Sequence, residues 1–436
     1  MNLYAERTAM LGTESAFKMG GDIARCEERG MSVIRLNLGE PDFSTAEAIN
    51  EVAVTEIRRG NSHYTDPQGI PALRECIAEQ IARTRGIPAD PGRVVVTPGA
   101  KAIVAYSVLA YVNSGDEVIY PSPCYPIYES WITFVGARPV PLHLRESQGF
   151  RFTASELERL ITSRTKLIII NSPSNPTGGV LTGDDLSAMA RVIGEQAPAQ
   201  CRILSDEIYE HIIFDGREHR SVSSCPGMAE RTVLLSGHSK SYAMTGWRLG
   251  YALLPSRDEA LLFRQFNINI FSCVPPFIQE AGREAIENTA NLTVVAGMVR
   301  EFQERRDLVV EGLNRIRGIH CVKPEGAFYV FPNIEGVCEN LSVIAAHDAL
   351  PRELRPLTSP AGLFQMFLLY CHGVATMDRR SFGVIGCEGQ HFLRLSTAAG
   401  IPDLKEGLVR IERAAADRSG FEAFVREGKN LYLGAP

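Results

Sequence analysis

Lys240 is the side chain on which the chemistry of this sequence centres, because it follows a short apolar run at residues 232–236. An ammonium buried among apolar residues is costly unless it is paired or used. Desolvation and nearby cations lower the pKa of such an amine, which makes it a nucleophile able to form a Schiff base. Ser239 precedes it and Arg248 follows, a hydroxyl and a cation suited to a phosphate. The structural alternative is a surface lysine and an arginine in an ion pair.

A second candidate anion site is the segment Thr-Pro-Gly-Ala-Lys at residues 97–101. Here a predicted strand ends, two small residues turn, and a helix begins. The free N–H groups of a helix N-terminus favour an anion, typically a phosphate. Any strand-to-helix turn can contain glycine, however, and the nucleotide-binding pattern G-x-x-x-x-G-K-[ST] does not occur in the chain. The segment therefore indicates an anion site without identifying its ligand.

Two more polar segments follow predicted strands. In residues 205–210, the carboxylate of Asp206 could bind a metal, act as a base or hold a protonated ring nitrogen, and Tyr209 faces the same site if the chain turns. An ion pair that closes the sheet edge is the simpler alternative. In residues 171–178, two X-Pro steps and a glycine predict a stiff loop that presents the amide of Asn175. By itself, this loop is only a turn.

A parallel sheet is needed to bring these residues together. Five short β-branched runs are apolar without alternation, which is typical of strands covered on both faces: residues 93–97, 117–120, 166–171, 202–205 and 232–236. Predicted helices lie between them, for example at 100–113 and 184–196, so we expect an α/β domain. Ligands bind at the carboxyl ends of such strands, where the polar segments fall.

The rest of the chain predicts a second, smaller α+β unit. A long helix at 295–317 precedes strand-like runs at 327–331 and 392–396, and another strand-like run lies at 33–38. We therefore expect four parts along the chain: an N-terminal arm and small-domain segment (1–50), a large domain (51–285), a small domain (286–416) and a C-terminal extension (417–436). The extension is polar and contains glycine, so we expect it to be loosely attached.

Composition excludes several classes of protein. The 436 residues are 45% hydrophobic and 22% charged, as in an ordinary globular protein and unlike a disordered chain. A net charge of −6 argues against nucleic acid as a partner. Because the chain has no apolar run of about 18 residues and no signal-peptide pattern, we expect no membrane association. Ten scattered cysteines predict free thiols in a reducing compartment, the cytoplasm, and no metal-ligand spacing occurs.

Taken together, these segments resemble the aspartate-aminotransferase-like branch of the class I/II aminotransferases, which are fold type I enzymes that depend on pyridoxal 5'-phosphate (PLP). The matching stretches occur in family order and at family-like spacing, at residues 39–43, 64, 69–74, 98–101, 175–178, 206–209, 239–248, 326–329 and 394. The resemblance covers about residues 15–335 and resumes near Arg394. The run Ser-Lys-Ser-Tyr-Ala-Met-Thr-Gly-Trp-Arg at 239–248 is highly specific.

The resemblance implies an α/β fold of type I, with a large domain of mostly parallel mixed sheet covered by helices and a smaller α+β domain built from both termini. Lys240 would hold PLP as a Schiff base and move a proton at the substrate α-carbon. Asp206 would keep the pyridinium nitrogen protonated, which makes the ring an electron sink. Asn175 and Tyr209 would hydrogen-bond the ring 3-oxygen, and Tyr125 would stack on the ring.

The resemblance also implies contacts to the phosphate and the substrate. The phosphate region would be held by residues of two subunits, since Tyr64 reaches it from the neighbour in a homodimer with shared sites: Gly99, Ala100, Lys101, Ser239, Arg248 and Tyr64. Arg394 would grip the substrate α-carboxylate in a two-pronged fit. Gly39 and Asn175 would lie against the substrate.

Two departures from the family pattern bear on the substrate. Relatives that prefer aspartate carry a small hydroxyl residue near the position of Phe17, so an aromatic ring there favours an apolar or aromatic amino acid. Relatives also have a Val-Pro-Gly-like turn where this chain reads Gly-Val-Ala-Thr-Met-Asp-Arg-Arg at 373–380. The segment around it, 338–390, is long, and Pro351, Pro356 and Pro360 predict a surface loop.

The function that the resemblance implies is an aminotransferase moving an amino group between an α-amino acid and a 2-oxo acid. One alternative is another PLP-dependent reaction on the same scaffold, such as elimination, cyclisation or oxidation, because fold alone does not fix the reaction. A second alternative is a non-catalytic regulator that retains PLP. Only about 30 residues precede the first predicted strand and the chain is acidic, which argues against a DNA-binding regulator.

Overall fold

A computed structural model describes residues 3–12 and 14–435 of the chain. Fifteen α-helices lie in those residues: α1 (Ser15–Glu28), α2 (Glu47–Arg58), α3 (Pro71–Arg85), α4 (Lys101–Tyr111), α5 (Ile127–Phe134), α6 (Ala154–Glu158), α7 (Gly183–Gln196), α8 (Arg257–Ile270), α9 (Pro276–Glu287), α10 (Ala290–Arg315), α11 (Glu335–Asn340), α12 (Val343–Asp348), α13 (Pro360–His372), α14 (Ile401–Ala416) and α15 (Arg418–Glu427). Short 3-10 helices lie at Glu6–Met10, Pro91–Arg93, Glu146–Gln148, Val222–Ser224, Arg355–Leu357 and Arg379–Phe382.

The same residues form twelve strands: β1 (Ile34–Arg35), β2 (Val94–Thr97), β3 (Glu117–Ser122), β4 (Arg138–His143), β5 (Thr165–Asn171), β6 (Arg202–Asp206), β7 (Thr232–Gly237), β8 (Gly250–Leu253), β9 (Tyr329–Val330), β10 (Val374–Ala375), β11 (Met377–Asp378) and β12 (Leu393–Ser396). Seven of them form the central sheet in the order β2-β8-β7-β6-β5-β3-β4. The pairs among β3 to β7 are parallel, while β8 runs antiparallel to both β2 and β7. This confirms the expected mostly parallel, mixed sheet.

Helices cover both faces of the central sheet, which is why its strands are continuously apolar. Along β5, Leu167 and Ile169 pack in the core cluster that contains α4 and α8. The alternate residues Ile168 and Ile170 pack in the cluster on the opposite face, which contains α7. Successive side chains of a strand point to opposite faces, so both sets must be apolar. All five predicted runs are strands of this sheet.

A second structured region joins the two ends of the chain. Strand β1 pairs in parallel with β10, and β11, β12 and β9 form a separate antiparallel sheet. Ile34 and Leu36 lie in the same core cluster as Leu313, Phe367 and Leu395. The segment around β1 therefore packs with the C-terminal part of the chain, as expected. The residue numbers at which the domains divide stay a prediction.

The last residues are firmly packed, and the expectation of loose attachment is wrong. Phe421 and Phe424 of α15 are buried, with ring centroids 5.4 and 5.8 Å from that of Phe367. Beyond the helix, the backbone N–H of Gly434 donates to Asp22, 3.0 Å away. Two aromatics three residues apart share one helix face, so a segment of polar composition still presents an apolar stripe to the core.

The long segment between β9 and β12 contains α11, α12 and α13. The predicted surface loop is confined to the stretch around Pro351 and Pro356, where residues 351–355 are largely exposed. Pro360 instead begins α13, where its fixed φ and missing N–H are tolerated, and that helix is buried over most of its length. Within the described ranges, no helix is both long and apolar enough to cross a membrane.

Candidate active site

A cavity of about 460 Å³ lies where β5, β6 and β7 end. Asn171 is the last residue of β5, Asp206 is the last residue of β6, and Lys240 follows β7 by three residues. The predicted site residues that line the cavity are Phe17, Gly39, Ala100, Lys101, Tyr125, Asn175, Asp206, Tyr209, Ser239, Lys240, Arg248 and Arg394. The parallel sheet has therefore brought together segments that are far apart in the sequence.

The Lys240 amine faces this cavity without a carboxylate partner. Its Nζ donates to the backbone oxygen of Gly39, 2.6 Å away. Among residues 3–12 and 14–435, no carboxylate lies within ion-pair distance of it. Burial, reinforced by the cations of Arg394 and Arg248, lowers the pKa of Lys240 to about 8 against the opposing charges of Glu40 and Glu14. The amine is therefore easily deprotonated near neutral pH.

Asp206 is a buried carboxylate that accepts hydrogen bonds but pairs with no cation among the described residues. Its Oδ2 accepts from the hydroxyl of Tyr128 at 2.6 Å, and its Oδ1 accepts from the backbone N–H of Ile208 at 3.2 Å. Burial raises the pKa of Asp206 to about 6, although these two hydrogen bonds oppose the shift. A positively charged group placed beside this carboxylate would restore its ionised form.

Asn175 and Tyr209 are held by different contacts. The backbone N–H of Asn175 donates to Asn171 Oδ1 at 2.9 Å, which fixes the proline-rich loop on the end of β5. The Tyr209 hydroxyl shares a 2.8 Å hydrogen bond with that of Tyr329. Gly178 has φ +69, and a Cβ there would lie 2.3 Å from Pro324, so glycine is required where this loop turns.

Arg394 is a buried guanidinium stacked between two aromatic rings. Its Cζ lies 4.6 Å from the ring centroid of Tyr329 and 4.7 Å from that of Phe382. Nη1 donates to Asn175 Oδ1 at 3.2 Å, Nη2 donates to the backbone oxygen of Asn37, and Nε has no partner. No acidic side chain of the described residues pairs with it, so a buried cation with a free donor faces the cavity.

Arg248 and the start of α4 also line the cavity. Ala100 and Lys101 begin α4, and Gly99 before them has φ +83. A Cβ on Gly99 would lie 2.2 Å from Nη2 of Arg248, so Gly99 supports this guanidinium although it does not line the cavity itself. Arg248 Nη1 donates to the Thr245 backbone oxygen at 2.7 Å. Arg248 makes no ion pair within the part of the chain that the structure describes.

Two predicted residues lie away from the cavity interior. Tyr64 does not line the cavity, and 88% of it is exposed. Phe17 lines the cavity but is 68% exposed, so it lies at the rim. The ammonium of Lys101 pairs with Glu14. Of residues 99–101, only the backbone N–H groups of Ala100 and Lys101 are therefore available to a ligand in the cavity, because that of Gly99 donates to the Thr97 backbone oxygen at 2.7 Å.

Sequence analysis missed several residues of the site. Tyr128, Tyr329, Phe382 and Glu14 all line the cavity and contact the predicted residues. Tyr329 belongs to a stretch that resembles the family, and Tyr128 follows Tyr125 by three residues near the start of α5. For Glu14 and Phe382, no local signal distinguishes a site residue from a surface or core residue.

The fold and site define an α/β protein in which the Lys240 amine, the buried Asp206 carboxylate and the guanidinium groups of Arg248 and Arg394 line one cavity at the ends of parallel strands. Comparison with known proteins places it more narrowly. The family model for aminotransferase class I and II matches residues 31–410. The chain belongs to this family.

Named relatives agree with the family match. The chain is 34% identical to aromatic-amino-acid aminotransferase 2 of Thermococcus litoralis over 88% of this chain and 92% of that protein. It is 35% identical to an aspartate aminotransferase of Rhizobium meliloti over 95% and 96% of the two chains. The crystal structure of aspartate aminotransferase from Rhizobium meliloti superposes with a TM-score of 0.83 at 34% identity, over 95% of this chain and 99% of the other.

These findings confirm two of the expectations, the fold and the reaction. The fold is the type I α/β fold of this family. The protein is an enzyme that transfers amino groups, an aminotransferase, and elimination, cyclisation and oxidation are not favoured. Members of the family generally depend on PLP.

Proposed function

We propose that the cavity holds PLP and that the enzyme transfers an amino group between an α-amino acid and a 2-oxo acid. One observation carries the proposal: an amine without a carboxylate partner, Lys240, and a buried carboxylate without a cation, Asp206, line the same cavity. A cofactor with an aldehyde and a protonatable ring nitrogen satisfies both. The unpaired cation of Arg248 suits a phosphate on the same molecule.

The residues that would hold PLP act at four points. Asp206 would keep the ring nitrogen protonated, and Asn175 and Tyr209 would lie at the ring oxygen. Tyr125 would cover one face of the ring. The phosphate would be held by the backbone N–H groups of Ala100 and Lys101, by Ser239 and by Arg248, with Gly99 allowing the close approach. When bound, PLP supplies an aldehyde carbon and an electron-withdrawing ring.

Lys240 would then act twice. Its amine would hold the cofactor, and once displaced by the substrate amine it would take up and return the proton at the substrate α-carbon. A general base works best when its pKa lies near the working pH. A pKa of about 8 meets this requirement, whereas an unperturbed lysine would be almost fully protonated at pH 7.

Arg394 would bind the substrate α-carboxylate, with Gly39 and Asn175 lying against the substrate and Phe17 near its side chain at the rim. A Cβ on Gly39 would lie 1.9 Å from the Tyr329 hydroxyl oxygen, so no other residue fits there. The planar guanidinium between Tyr329 and Phe382 is already oriented, which lowers the cost of binding.

The Arg394 assignment is tested by Arg394→Lys. Lysine keeps the charge and loses the two-pronged geometry, so we expect kcat/KM to fall at least a hundredfold while the affinity for PLP changes less than threefold. Steady-state kinetics with an amino acid and 2-oxoglutarate, together with PLP titration by absorbance, measure the two quantities. An unchanged kcat/KM would remove Arg394 from the substrate site.

We also infer that the enzyme is a homodimer with shared active sites. Tyr64 is exposed although aromatic, and Ile268, Ile270 and Phe271 at the end of α8 are also exposed. Such residues are typical of a surface that another subunit covers. Tyr64 of one subunit would reach the phosphate of the other. Sedimentation at micromolar concentration should give about twice the chain mass of 47.9 kDa.

A cytoplasmic location is part of the proposal. None of the ten cysteines is in a disulfide, and six of them are buried. Free thiols persist in a reducing compartment. Titration of the denatured enzyme, purified without added reductant, should therefore detect all ten thiols.

A further inference from the structure

Glu14 is a charged group of the cavity for which the proposed function has no use. It precedes α1, yet its side chain makes no hydrogen bond to the N-terminus of that helix. The carboxylate instead pairs with the ammonium of Lys101, and its Oε1 accepts from the Tyr125 hydroxyl at 2.7 Å. A carboxylate at a helix N-terminus is stabilised by the free N–H groups. The Glu14 side chain makes no such contact and instead binds Lys101 and Tyr125, which lie 87 and 111 residues away in the chain.

The pair lies in the part of the cavity that is left for the substrate side chain. PLP and the substrate α-carboxylate would occupy the wall formed by Asp206, Arg248 and Arg394. The rest of the lining includes Glu14, Phe17 and the side chain of Lys101, next to Tyr125, which the proposed function places on the cofactor ring. The Lys101 Nζ lies 5.9 and 5.8 Å from the ring centroids of Phe17 and Tyr125, so the ion pair is framed by aromatic rings.

We propose that Glu14 determines substrate specificity by neutralising Lys101, so that the enzyme selects amino acids with an uncharged side chain over dicarboxylic ones. This inference rests on the proposed function. A free Lys101 ammonium would attract a second substrate carboxylate, whereas a neutral pair offers such a carboxylate little attraction and leaves its desolvation uncompensated. The aromatic rings of Phe17 and Tyr125, both within 6 Å of the Lys101 ammonium, favour an apolar side chain.

Because Glu14 and Lys101 neutralise each other, removing either charge exposes the other. The two single variants should therefore change substrate preference in opposite directions. Glu14→Gln frees the Lys101 ammonium, so the ratio of kcat/KM for aspartate to kcat/KM for phenylalanine should rise about tenfold, which is 1.4 kcal/mol. Lys101→Gln frees the carboxylate instead, so the ratio for arginine relative to phenylalanine should rise while the aspartate ratio does not. The double variant Glu14→Gln/Lys101→Gln should return both ratios to within about twofold of the wild type.

Glu40→Gln is the matched control, because Glu40 lines the same cavity and its hydrogen-bond partner is Thr245, not Lys101. It removes the same charge, so its aspartate-to-phenylalanine ratio should stay within twofold of wild type. A tenfold rise in Glu40→Gln as well would show a general effect of cavity charge and overturn the proposal. Melting temperatures measured alongside separate selectivity from folding, since a purely structural pair changes stability without changing either ratio.

The outcomes separate this inference from the proposed function. If wild-type protein loaded with PLP transfers no amino group from any amino acid, the proposed function fails. If the wild type and both single variants transfer from phenylalanine but neither ratio moves, only the role of Glu14 is overturned. Should Glu14→Gln fail to fold, the arginine ratio of Lys101→Gln decides the question, because an unchanged ratio there contradicts the neutral pair.

Discussion

Among single residues, Asp206 shows most clearly how the fold prepares the chemistry. Burial raises its pKa, which works against the ionised form that a ring nitrogen needs, while two donors, the Tyr128 hydroxyl and the Ile208 backbone N–H, oppose the shift. The pKa that results is about 6. The structure therefore holds a carboxylate that titrates close to neutral pH until a cation arrives beside it.

We predict that Tyr128→Phe shifts the acid limb of the activity profile. Loss of the hydroxyl removes a hydrogen bond to a charged group, worth about 1.5–3 kcal/mol, so kcat/KM should fall about tenfold or more at pH 7. Because the Tyr128 hydroxyl stabilises the ionised carboxylate, its removal raises the pKa of Asp206. As the pH is lowered, the variant should therefore lose activity at a higher pH than the wild type does. Rates between pH 5 and 9 measure the shift.

Tyr120→Phe is the control for this prediction. Tyr120 is also buried and its hydroxyl also donates to a carboxylate, Glu129 Oε2, at 2.8 Å, but it does not line the cavity. The variant should lose stability and keep the wild-type pH profile. Equal shifts in the two variants would mean that Tyr128 acts on folding and not on Asp206.

Site residues were predictable where they follow an apolar run that marks a strand. Lys240, Asp206 and Asn175 follow apolar runs, so the strand-end rule found them. Tyr128 and Glu14 could not be found in this way, because each acquires its role from a partner 78 to 111 residues away. Which distant residues come into contact depends on the order of the strands in the sheet. That order cannot be inferred from the sequence around each residue.

Among the elements, the turn after β6 depends on a buried cluster of charges behind the cavity. Arg85 at the end of α3 donates to Glu207 Oε2 through Nε and Nη2, at 3.0 and 2.8 Å, and pairs also with Glu210. Burial opposes ionisation of Glu207, but Arg85 and His219 lower its pKa to about 2. The two glutamates flank Tyr209, so this cluster fixes the segment that carries Asp206 and Tyr209.

We predict that Arg85→Met destabilises the protein by about 3–5 kcal/mol at pH 7, because two buried carboxylates lose their cation. The wild-type cluster contributes stability above the ordinary glutamate pKa, and this contribution is lost as the pH falls towards 2. The difference in unfolding free energy between the wild type and Arg85→Met should therefore become smaller at acidic pH. Urea unfolding at pH 7 and pH 4 measures both effects.

Arg257→Met provides the comparison for Arg85. Arg257 pairs with Asp90 at 2.6 Å, but 72% of its side chain is exposed. Exposed pairs contribute about 0–1 kcal/mol, so this variant should lose little stability. Similar losses in the two variants would show that the Arg85 cluster behaves like an ordinary surface pair.

Strands of the central sheet were predicted well where β-branched residues form an apolar run, and missed where they do not. The five apolar runs are all strands, but β4 was missed because it contains Pro139 and Pro141 and lies at the edge of the sheet. Proline is tolerated at such an edge although it argues against a strand in the sequence. Strand β8 was also missed, since its four residues, Gly250–Leu253, include no β-branched side chain, whereas the equally short β2 consists of them entirely.

At the scale of the whole molecule, hydrogen bonds join the N-terminal and C-terminal parts of the chain. The hydroxyl of Tyr370 donates to Asp22 Oδ1 at 2.7 Å, while Arg25 Nη2 donates to the Ala435 backbone oxygen at 2.8 Å. Helix α1, which begins immediately after Glu14, is thereby joined to α13 and to the C-terminal segment. The packing of α15 was not predicted because two aromatics in a polar segment give only a weak helical pattern.

We predict that Phe421→Ala destabilises the protein by about 3–5 kcal/mol, since a fully buried aromatic side chain is removed and a cavity is left. Glu422→Ala on the same helix should change stability by less than about 0.5 kcal/mol, because its ion pair with Arg418 is exposed. Urea unfolding of both variants is the measurement. If Phe421→Ala cost no more than Glu422→Ala, the C-terminal segment would be loosely attached after all.

The central claim is that the Lys240 amine holds the cofactor. Borohydride reduction of the PLP-loaded enzyme, followed by digestion and mass spectrometry, locates the lysine that becomes labelled. We predict a label on the peptide that contains Lys240, and Lys240→Ala should bind PLP noncovalently, remain unlabelled and lose amino transfer. A label on Lys101 or on any other lysine, or retained turnover in Lys240→Ala, would contradict the account.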